Sequence, residues 1–123
     1  MLQKIGAGFY GLWGVLHLLA ALDGFRLAGT EEGLVSGKLM QNSWNLAAIS
    51  ILAVYIAWKM NWKNDKHGYW YNLVLISVAD IAFVIFILLP GYIAMWPGAL
   101  GPLFWLLGAL FTTLAYRQAH LKR

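Results

Sequence analysis

The chain has 123 residues, of which 61% are hydrophobic and only 11% are charged, and its mean hydropathy is +0.64. This balance is far from that of a water-soluble domain, so it predicts an integral membrane protein with a single domain over residues 1–123. Cysteine is absent, which excludes a disulfide, a thiolate nucleophile and a cysteine-bound metal. The expected membrane topology explains most of the positive side chains behind the formal net charge of +4, so we expect no nucleic-acid partner.

Four long apolar runs follow one another along the chain, and each is free of Lys and Arg until its end. They cover residues 5–22, 43–60, 70–90 and 101–116. About 20 apolar residues in helical conformation cross a hydrocarbon layer roughly 30 Å thick. Their continuous apolarity differs from the alternating pattern of barrel strands, and lipid does not tolerate an unpaired backbone. The sequence therefore predicts an all-α integral membrane protein, built as an antiparallel bundle of four transmembrane helices.

The positive side chains divide unequally between the two ends of such a bundle. Seven lie at the end that holds both termini and the connection between the second and third runs, and two lie at the other end. The seven are Lys4, Lys59, Lys63, Lys66, Arg117, Lys122 and Arg123, and the two are Arg26 and Lys38. Cytoplasmic segments of membrane proteins carry the excess of Lys and Arg. We therefore expect both termini in the cytoplasm and the protein in the cell's inner (plasma) membrane.

The two connections at the opposite end differ in character. Residues 23–42 contain charges of both signs and are long enough for a short surface helix, so we expect a solvated cap there. Residues 90–102 are mostly apolar but contain all three prolines and three glycines, which predicts an irregular segment in the membrane interface. This second segment either anchors the bundle or covers a cavity, and the sequence leaves both interpretations open.

The third run contains one charged side chain, Asp80, within the stretch ISVADIAFVIF. At about 1.5 Å of rise per residue, Asp80 lies roughly 15 Å from Pro90 and therefore near the middle of the bilayer. An ionised carboxylate is too costly to face lipid at that depth. Asp80 therefore either faces the interior of the bundle with a partner or is protonated, and its position is the first candidate for a functional site.

The expected partner of Asp80 is His17 on the first run. A helix face with small and aromatic residues at i, i+3 and i+4 spacing includes His17. Its other members are Ala7, Tyr10, Gly11, Gly14 and Ala21. Small residues let a neighbouring helix approach closely, so this face should point inwards. His17 is about one to two turns nearer the outer end than Asp80, a gap that helix tilt and side-chain reach can close.

Further polar and aromatic side chains are placed near this pair by helical spacing. Asn42 and Asn45 are three residues apart at the outer start of the second run, and Ser77 shares a stripe of the third run with Asp80. We expect a polar cluster of His17, Asn45 and Asp80. The additional ligand-binding candidates are Asn42, Tyr10, Ser77 and, as an aromatic wall, Trp44.

Three functions fit such a cluster. An Asp–His pair can move a proton and bind a polar headgroup, so the first function is binding of a lipid or isoprenoid-type ligand, extended to its acid–base conversion with Asp80 and His17 as catalytic residues. The second is a structural or assembly subunit, in which the polar network only sets helix register. The third is a small homo-oligomeric transporter or channel. It would need polar residues from Asp80 to the cytoplasmic end, where the sequence offers Asn72, Thr112 and Thr113.

No cofactor and no metal site are expected. The sequence lacks the motifs of nucleotide-binding and hydrolase sites, and a haem on His17 would find no second histidine within the membrane. The expected partners are membrane lipids, a hydrophobic small molecule and a second copy of the chain. Glycines on the first and fourth runs suggest close helix contact in a homodimer. They are Gly6, Gly8, Gly101 and Gly108.

Overall fold

The computed structural model describes residues 1–121 and is all-helical over that range, as the sequence predicts. The α-helices are, in chain order, α1 (Leu2–Ala28), α2 (Gly33–Lys59), α3 (Lys66–Phe83), α4 (Met95–Gly98) and α5 (Leu100–His120). A 3₁₀ turn, Asn61–Lys63, lies between α2 and α3, and a π-helical segment, Val84–Leu88, continues α3. Four of the five α-helices are long, and α4 is a single turn.

Three of the long helical segments have the length and apolarity to cross a membrane. They are Leu2–Ala28, Gly33–Lys63 and Lys66–Leu88. α5, with 21 residues, has sufficient length but is not among these three segments. The composition of the helices is therefore that of a membrane protein. The number of membrane crossings, four, remains a prediction. The side of the membrane on which the termini lie is also still a prediction.

The helices extend beyond the apolar runs that predict them. α2 begins at Gly33, well before the run at 43–60, so only residues 29–32 connect it to α1. The expected separate surface helix within 23–42 is therefore wrong. At this corner the Ala28 carbonyl at the end of α1 accepts hydrogen bonds from the Ser36 hydroxyl at 2.8 Å and from the Glu31 backbone N–H at 3.3 Å. Backbone hydrogen bonding decides where a helix ends, so polar turns beyond an apolar run can remain helical.

A tight turn connects α2 to α3 and also contacts α5. Asn64 adopts the left-handed conformation with φ of 57°, and its side-chain amide donates to the Ala115 carbonyl of α5 at 3.2 Å. The next residue, Asp65, caps α3 by accepting a hydrogen bond from the Gly68 backbone N–H at 2.9 Å. The turn therefore fastens three helices together at this end of the protein.

Replacing Asp65 by alanine should lower the free energy of unfolding by about 1 kcal/mol, because α3 loses its N-terminal cap. The change can be measured by circular dichroism during denaturant unfolding in detergent micelles. Asp23→Ala is the matched control, since that carboxylate pairs with Arg26 at 3.0 Å on an exposed surface, where ion pairs add little stability. Equal effects of the two substitutions would contradict the capping role.

Close helix contacts hold α1 against α2 and α5. A Cβ atom at Gly6 would lie 2.8 Å from the backbone nitrogen of Thr112, and one at Gly14 would lie 3.0 Å from the Ser50 carbonyl oxygen. α3 packs against α2 and α5 in turn. The buried apolar core between the helices consists of Tyr10, Trp13, Ala53, Ala57 and Ile76.

The glycines considered for a dimer contact are mostly used within the chain. Gly6 contacts α5, Gly101 lies against the His17 ring, and Gly108 lies against the Tyr10 ring. A Cβ at Gly8, by contrast, would meet no atom within 4 Å. Three of the four glycines thus contact other helices of the same chain, and the homodimer loses most of its sequence support.

Candidate functional site

Asp80 lies at the centre of the helical assembly and has no exposed surface. Its Oδ2 accepts a hydrogen bond from the indole nitrogen Nε1 of Trp13 at 2.9 Å. Its Oδ1 lies 3.5 Å from Nε2 of His17, and within residues 1–121 it has no hydrogen-bond partner. The structure thus brings Asp80 and His17 together at ion-pair distance, with one carboxylate oxygen only loosely engaged.

Trp13 connects the two members of this pair and was not expected among the polar contacts. Its ring stacks on the His17 ring with the centroids 3.9 Å apart, and its backbone carbonyl accepts a hydrogen bond from His17 Nδ1 at 2.8 Å. The spacing of Tyr10, Trp13 and His17 places all three on one face of α1. The indole N–H also supplies a donor of the kind that a buried carboxylate requires. The helical spacing and the indole donor are therefore the two sequence features that indicate Trp13 as a contact of Asp80 and His17.

The hydrogen bond at Nδ1 decides the tautomer of His17. A carbonyl oxygen only accepts, so Nδ1 carries a proton, and Nε2 of the neutral ring presents a lone pair to Asp80. An ionised carboxylate facing that lone pair would be a buried negative charge with a missing donor, which is costly. The facing Nε2 and Oδ1 atoms, 3.5 Å apart, are therefore suited to share one proton. The pair is neutral whether the proton is on Asp80 or on His17.

A cavity of about 730 Å³ reaches His17 between the helices. Three polar side chains line it, namely His17, Asp23 and Asn42, whereas Asp80 does not reach its surface. The remaining walls are apolar and come from α1, α2, α3, the π-helical segment, the residues around α4 and the start of α5. They include Leu46, Ile49, Phe83, Phe86 and Ile93. A molecule in the cavity would contact the His17 side chain and would not contact the Asp80 carboxylate directly.

The structure does not bring two of the α2 candidates, Asn45 and Trp44, to the Asp80–His17 pair. Asn45 is exposed and Trp44 is 71% exposed, so neither belongs to the Asp80–His17 site or to the cavity wall. The reason is the rotation of α2 about its axis. Ser43 is buried against α1, and two residues correspond to about 200° of helical turn, so Asn45 lies on the opposite face. Asn42, which is also on α2, lines the cavity.

Tyr10 and Ser77, the remaining ligand-binding candidates, have partners on α5. The Thr112 hydroxyl donates to the Tyr10 hydroxyl at 3.5 Å, and the Trp105 indole nitrogen donates to Ser77 Oγ at 2.8 Å. Neither residue is among those that line the cavity. Both side chains therefore connect helices in this structure and do not extend the polar cluster around Asp80.

A second buried polar group lies two turns away on the same face of α3. The Asn72 side-chain amide donates to the Ala53 carbonyl at 3.0 Å and to Asn61 Oδ1 at 2.7 Å. Ile76 lies between Asn72 and Asp80 on that face and has no exposed surface. An apolar side chain therefore separates the two buried polar groups.

Comparisons of the chain with protein-family models, with curated proteins and with solved structures find no match in any of the three. Within residues 1–121, no three His, Asp or Glu side chains are grouped so that they could hold a metal ion. The described residues place an acid–imidazole pair next to a mostly apolar cavity.

Proposed function

We propose that this protein binds an elongated apolar molecule of the lipid or isoprenoid type in the cavity beside His17. The observation that carries this proposal is a cavity of about 730 Å³ whose mostly apolar walls lead to one buried imidazole. Small-molecule sites are commonly concave, of roughly 300–1,000 Å³, and apolar with a few convergent polar groups. An apolar chain would fill the space between α2 and α3, and a polar end would contact His17.

The Asp80–His17 pair gives this site an acid–base capacity. Nε2 of His17 makes only a long contact with Asp80, 3.5 Å, so it can approach an oxygen atom of the ligand. With the shared proton on Nε2, the imidazolium is a proton donor. With the proton on Asp80, the neutral ring is an acceptor and a general base. The conversion of a bound ligand by proton transfer is the extension of the binding proposal, with His17 at the reacting atom and Asp80 behind it.

Two other functions have less support from the geometry. A structural or assembly subunit calls for close packing and complete hydrogen bonding at Asp80. Its Oδ1 instead lacks a hydrogen-bond donor within residues 1–121, and a large cavity lies on the other side of His17. A transporter or channel needs a polar route from Asp80 towards the cytoplasmic end, and the buried side chain of Ile76 interrupts that route.

We further infer four crossings of the inner membrane in an antiparallel bundle, with both termini in the cytoplasm. Gly6 near the start of α1 lies against Thr112 in the second half of α5, and His17 lies against Gly101 at the start of α5. Opposite chain order of this kind supports α5 as a full partner of α1 across the bilayer. The excess of Lys and Arg at the end that holds the termini supports the cytoplasmic assignment.

A side chain that fills the cavity should prevent binding. Ala79 lines the cavity, whereas Val78, the preceding residue on α3, is 66% exposed and faces away from it. We expect Ala79→Phe to weaken binding of a long-chain isoprenoid alcohol by at least about tenfold, because the ring occupies ligand volume. Binding can be followed by thermal-shift titration of the purified protein in detergent.

Val78→Phe is the matched control, since it adds the same ring to the same helix outside the cavity. It should leave the affinity unchanged. Native mass spectrometry of both variants would show in parallel whether the wild type co-purifies with an apolar molecule that Ala79→Phe excludes. Unchanged binding and unchanged co-purification in a folded Ala79→Phe variant would refute the cavity as the ligand site.

A further inference from the structure

A second polar surface lies at the opposite end of the protein from the cavity, where the α2–α3 turn meets the end of α5. A depression of about 580 Å³ is found there, which we name the basic depression. The ionisable side chains that line it are Lys59, Lys63, Lys66, His67, His120 and Asp65. Three lysines face one carboxylate, so the basic depression has an excess of positive charge even with both histidines neutral.

The single carboxylate of the basic depression is already engaged. Asp65 Oδ1 accepts a hydrogen bond from the Gly68 backbone N–H at 2.9 Å and lies 3.8 Å from His67 Nδ1. In residues 1–121 no carboxylate lies within ion-pair distance of Lys63 or Lys66. Those two ammonium groups are therefore available to an anion from outside the chain. Lys59 is partly engaged elsewhere, since its ammonium lies 4.8 Å from the centre of the Trp58 ring.

The surrounding aromatic residues place the basic depression at the level of lipid headgroups. Trp58, Trp62 and Trp70 flank the same turn and are each exposed by between 44% and 67%. Exposed tryptophans at the ends of apolar helices are typical of the membrane–water interface. Lysines next to such a belt are within reach of the phosphates of the adjacent leaflet. The turn itself is held by the Asn64 side chain, which contacts α5, so the lysines extend from an ordered backbone.

We propose that the basic depression binds the phosphate of an anionic phospholipid headgroup, with Lys63 and Lys66 as its main contacts. The excess of positive charge favours an anion. The exposed tryptophans Trp58, Trp62 and Trp70 favour a lipid over a free solute. The site is separate from the cavity beside His17 and shares no lining residue with it. Binding here therefore does not depend on the function proposed for the cavity.

The test compares two lipids on the full chain in detergent, with native mass spectrometry as the readout. The wild type should bind phosphatidylglycerol more tightly than phosphatidylcholine. The double variant Lys63→Gln/Lys66→Gln should bind phosphatidylglycerol about tenfold more weakly, because each basic side chain near a headgroup contributes to attraction. Phosphatidylcholine binding should be the same in both proteins.

Two control variants make the result specific. Lys38→Gln removes one positive charge near the start of α2, away from the basic depression, and should keep the preference for phosphatidylglycerol. Lys63→Arg/Lys66→Arg restores the charge and should keep it as well. All these substitutions are at charged side chains outside the core, and circular dichroism would confirm that the helices remain.

Three results would overturn the proposal. The first is a wild-type protein that binds both lipids equally. The second is a Lys63→Gln/Lys66→Gln variant that keeps the wild-type preference. The third is displacement of phosphatidylglycerol by millimolar inorganic phosphate, which would identify a site for a free anion in place of a lipid headgroup.

Discussion

Asp80→Ala is expected to lower the free energy of unfolding by about 3–5 kcal/mol, the largest effect of a single substitution in this protein. Alanine leaves the buried Trp13 indole N–H without its acceptor, removes the proton partner of His17 and opens a void at the centre of the protein. Asp80→Asn should instead cost less than about 1 kcal/mol. Its carbonyl oxygen can accept from Trp13, and its amide N–H can face Nε2 of His17 as a protonated acid would.

The comparison of these two variants also locates the shared proton. Unfolding can be followed by circular dichroism as sodium dodecyl sulfate is added to mixed micelles. Ser77→Ala is the control on the same helix, because Ser77 also accepts from an indole nitrogen, that of Trp105, but is half-buried and uncharged. Its loss should cost about 1 kcal/mol.

Two outcomes would contradict these expectations for Asp80→Ala and Asp80→Asn. An Asp80→Ala variant as stable as Asp80→Asn would show that the carboxylate does not organise its surroundings. An Asp80→Asn variant as unstable as Asp80→Ala would show that a neutral acid cannot replace the native form and that the proton resides on His17. In that case the site contains an ion pair.

Leucine in place of Gly6 should lower the free energy of unfolding by about 3 kcal/mol, whereas the same change at Gly8 should have little effect. A Cβ at Gly6 would lie 2.8 Å from the Thr112 backbone nitrogen and 3.1 Å from the Gly108 carbonyl oxygen. These are backbone atoms of a helix, so they cannot yield unless α5 moves away from α1. At Gly8 a Cβ would meet no atom within 4 Å.

The pair of variants isolates helix packing from helix propensity. Both exchange glycine for leucine within α1, so the gain in intrinsic propensity is the same in each and cancels in the difference. The same unfolding assay in mixed micelles applies. Equal stabilities of Gly6→Leu and Gly8→Leu would contradict the close contact between α1 and α5 that positions Gly101 against His17.

The arrangement at Asp80 departs from the usual pairing of buried polar groups. A buried acid with one oxygen lacking a hydrogen-bond donor is uncommon in a protein interior, where nearly all polar atoms are paired. Departures from packing and pairing rules are expected at functional or strained sites. Stacking between the Trp13 and His17 rings and the hydrogen bond from Trp13 to Asp80 fix the geometry of the Asp80–His17 pair. The cavity on the other side of His17 provides space for a molecule next to the Asp80–His17 pair.

The Asp80–His17 pair was predictable because two strong physical constraints act on it. A carboxylate in an apolar run must face inwards, and the small residues around His17 mark the inward face of α1. The all-α class and the membrane character follow with equal force from composition and from the length of the apolar runs. In each case the alternative, a carboxylate or an unpaired backbone group facing lipid, costs several kcal/mol. Local sequence is therefore sufficient for these predictions.

Only the tertiary structure decided how α2 is rotated and where the helices end. A helix in lipid is apolar on its outer face as well as its inner face, so hydrophobicity alone does not tell the two apart. Contacts between specific small groups, such as Gly24 of α1 against Ser43 of α2, set the rotation and turn Asn45 and Trp44 outwards. The same packing brings Trp13 into contact with both Asp80 and His17, a role that depends on three-dimensional contact. Composition therefore determined the class and the buried pair, and close packing determined the partners and the cavity.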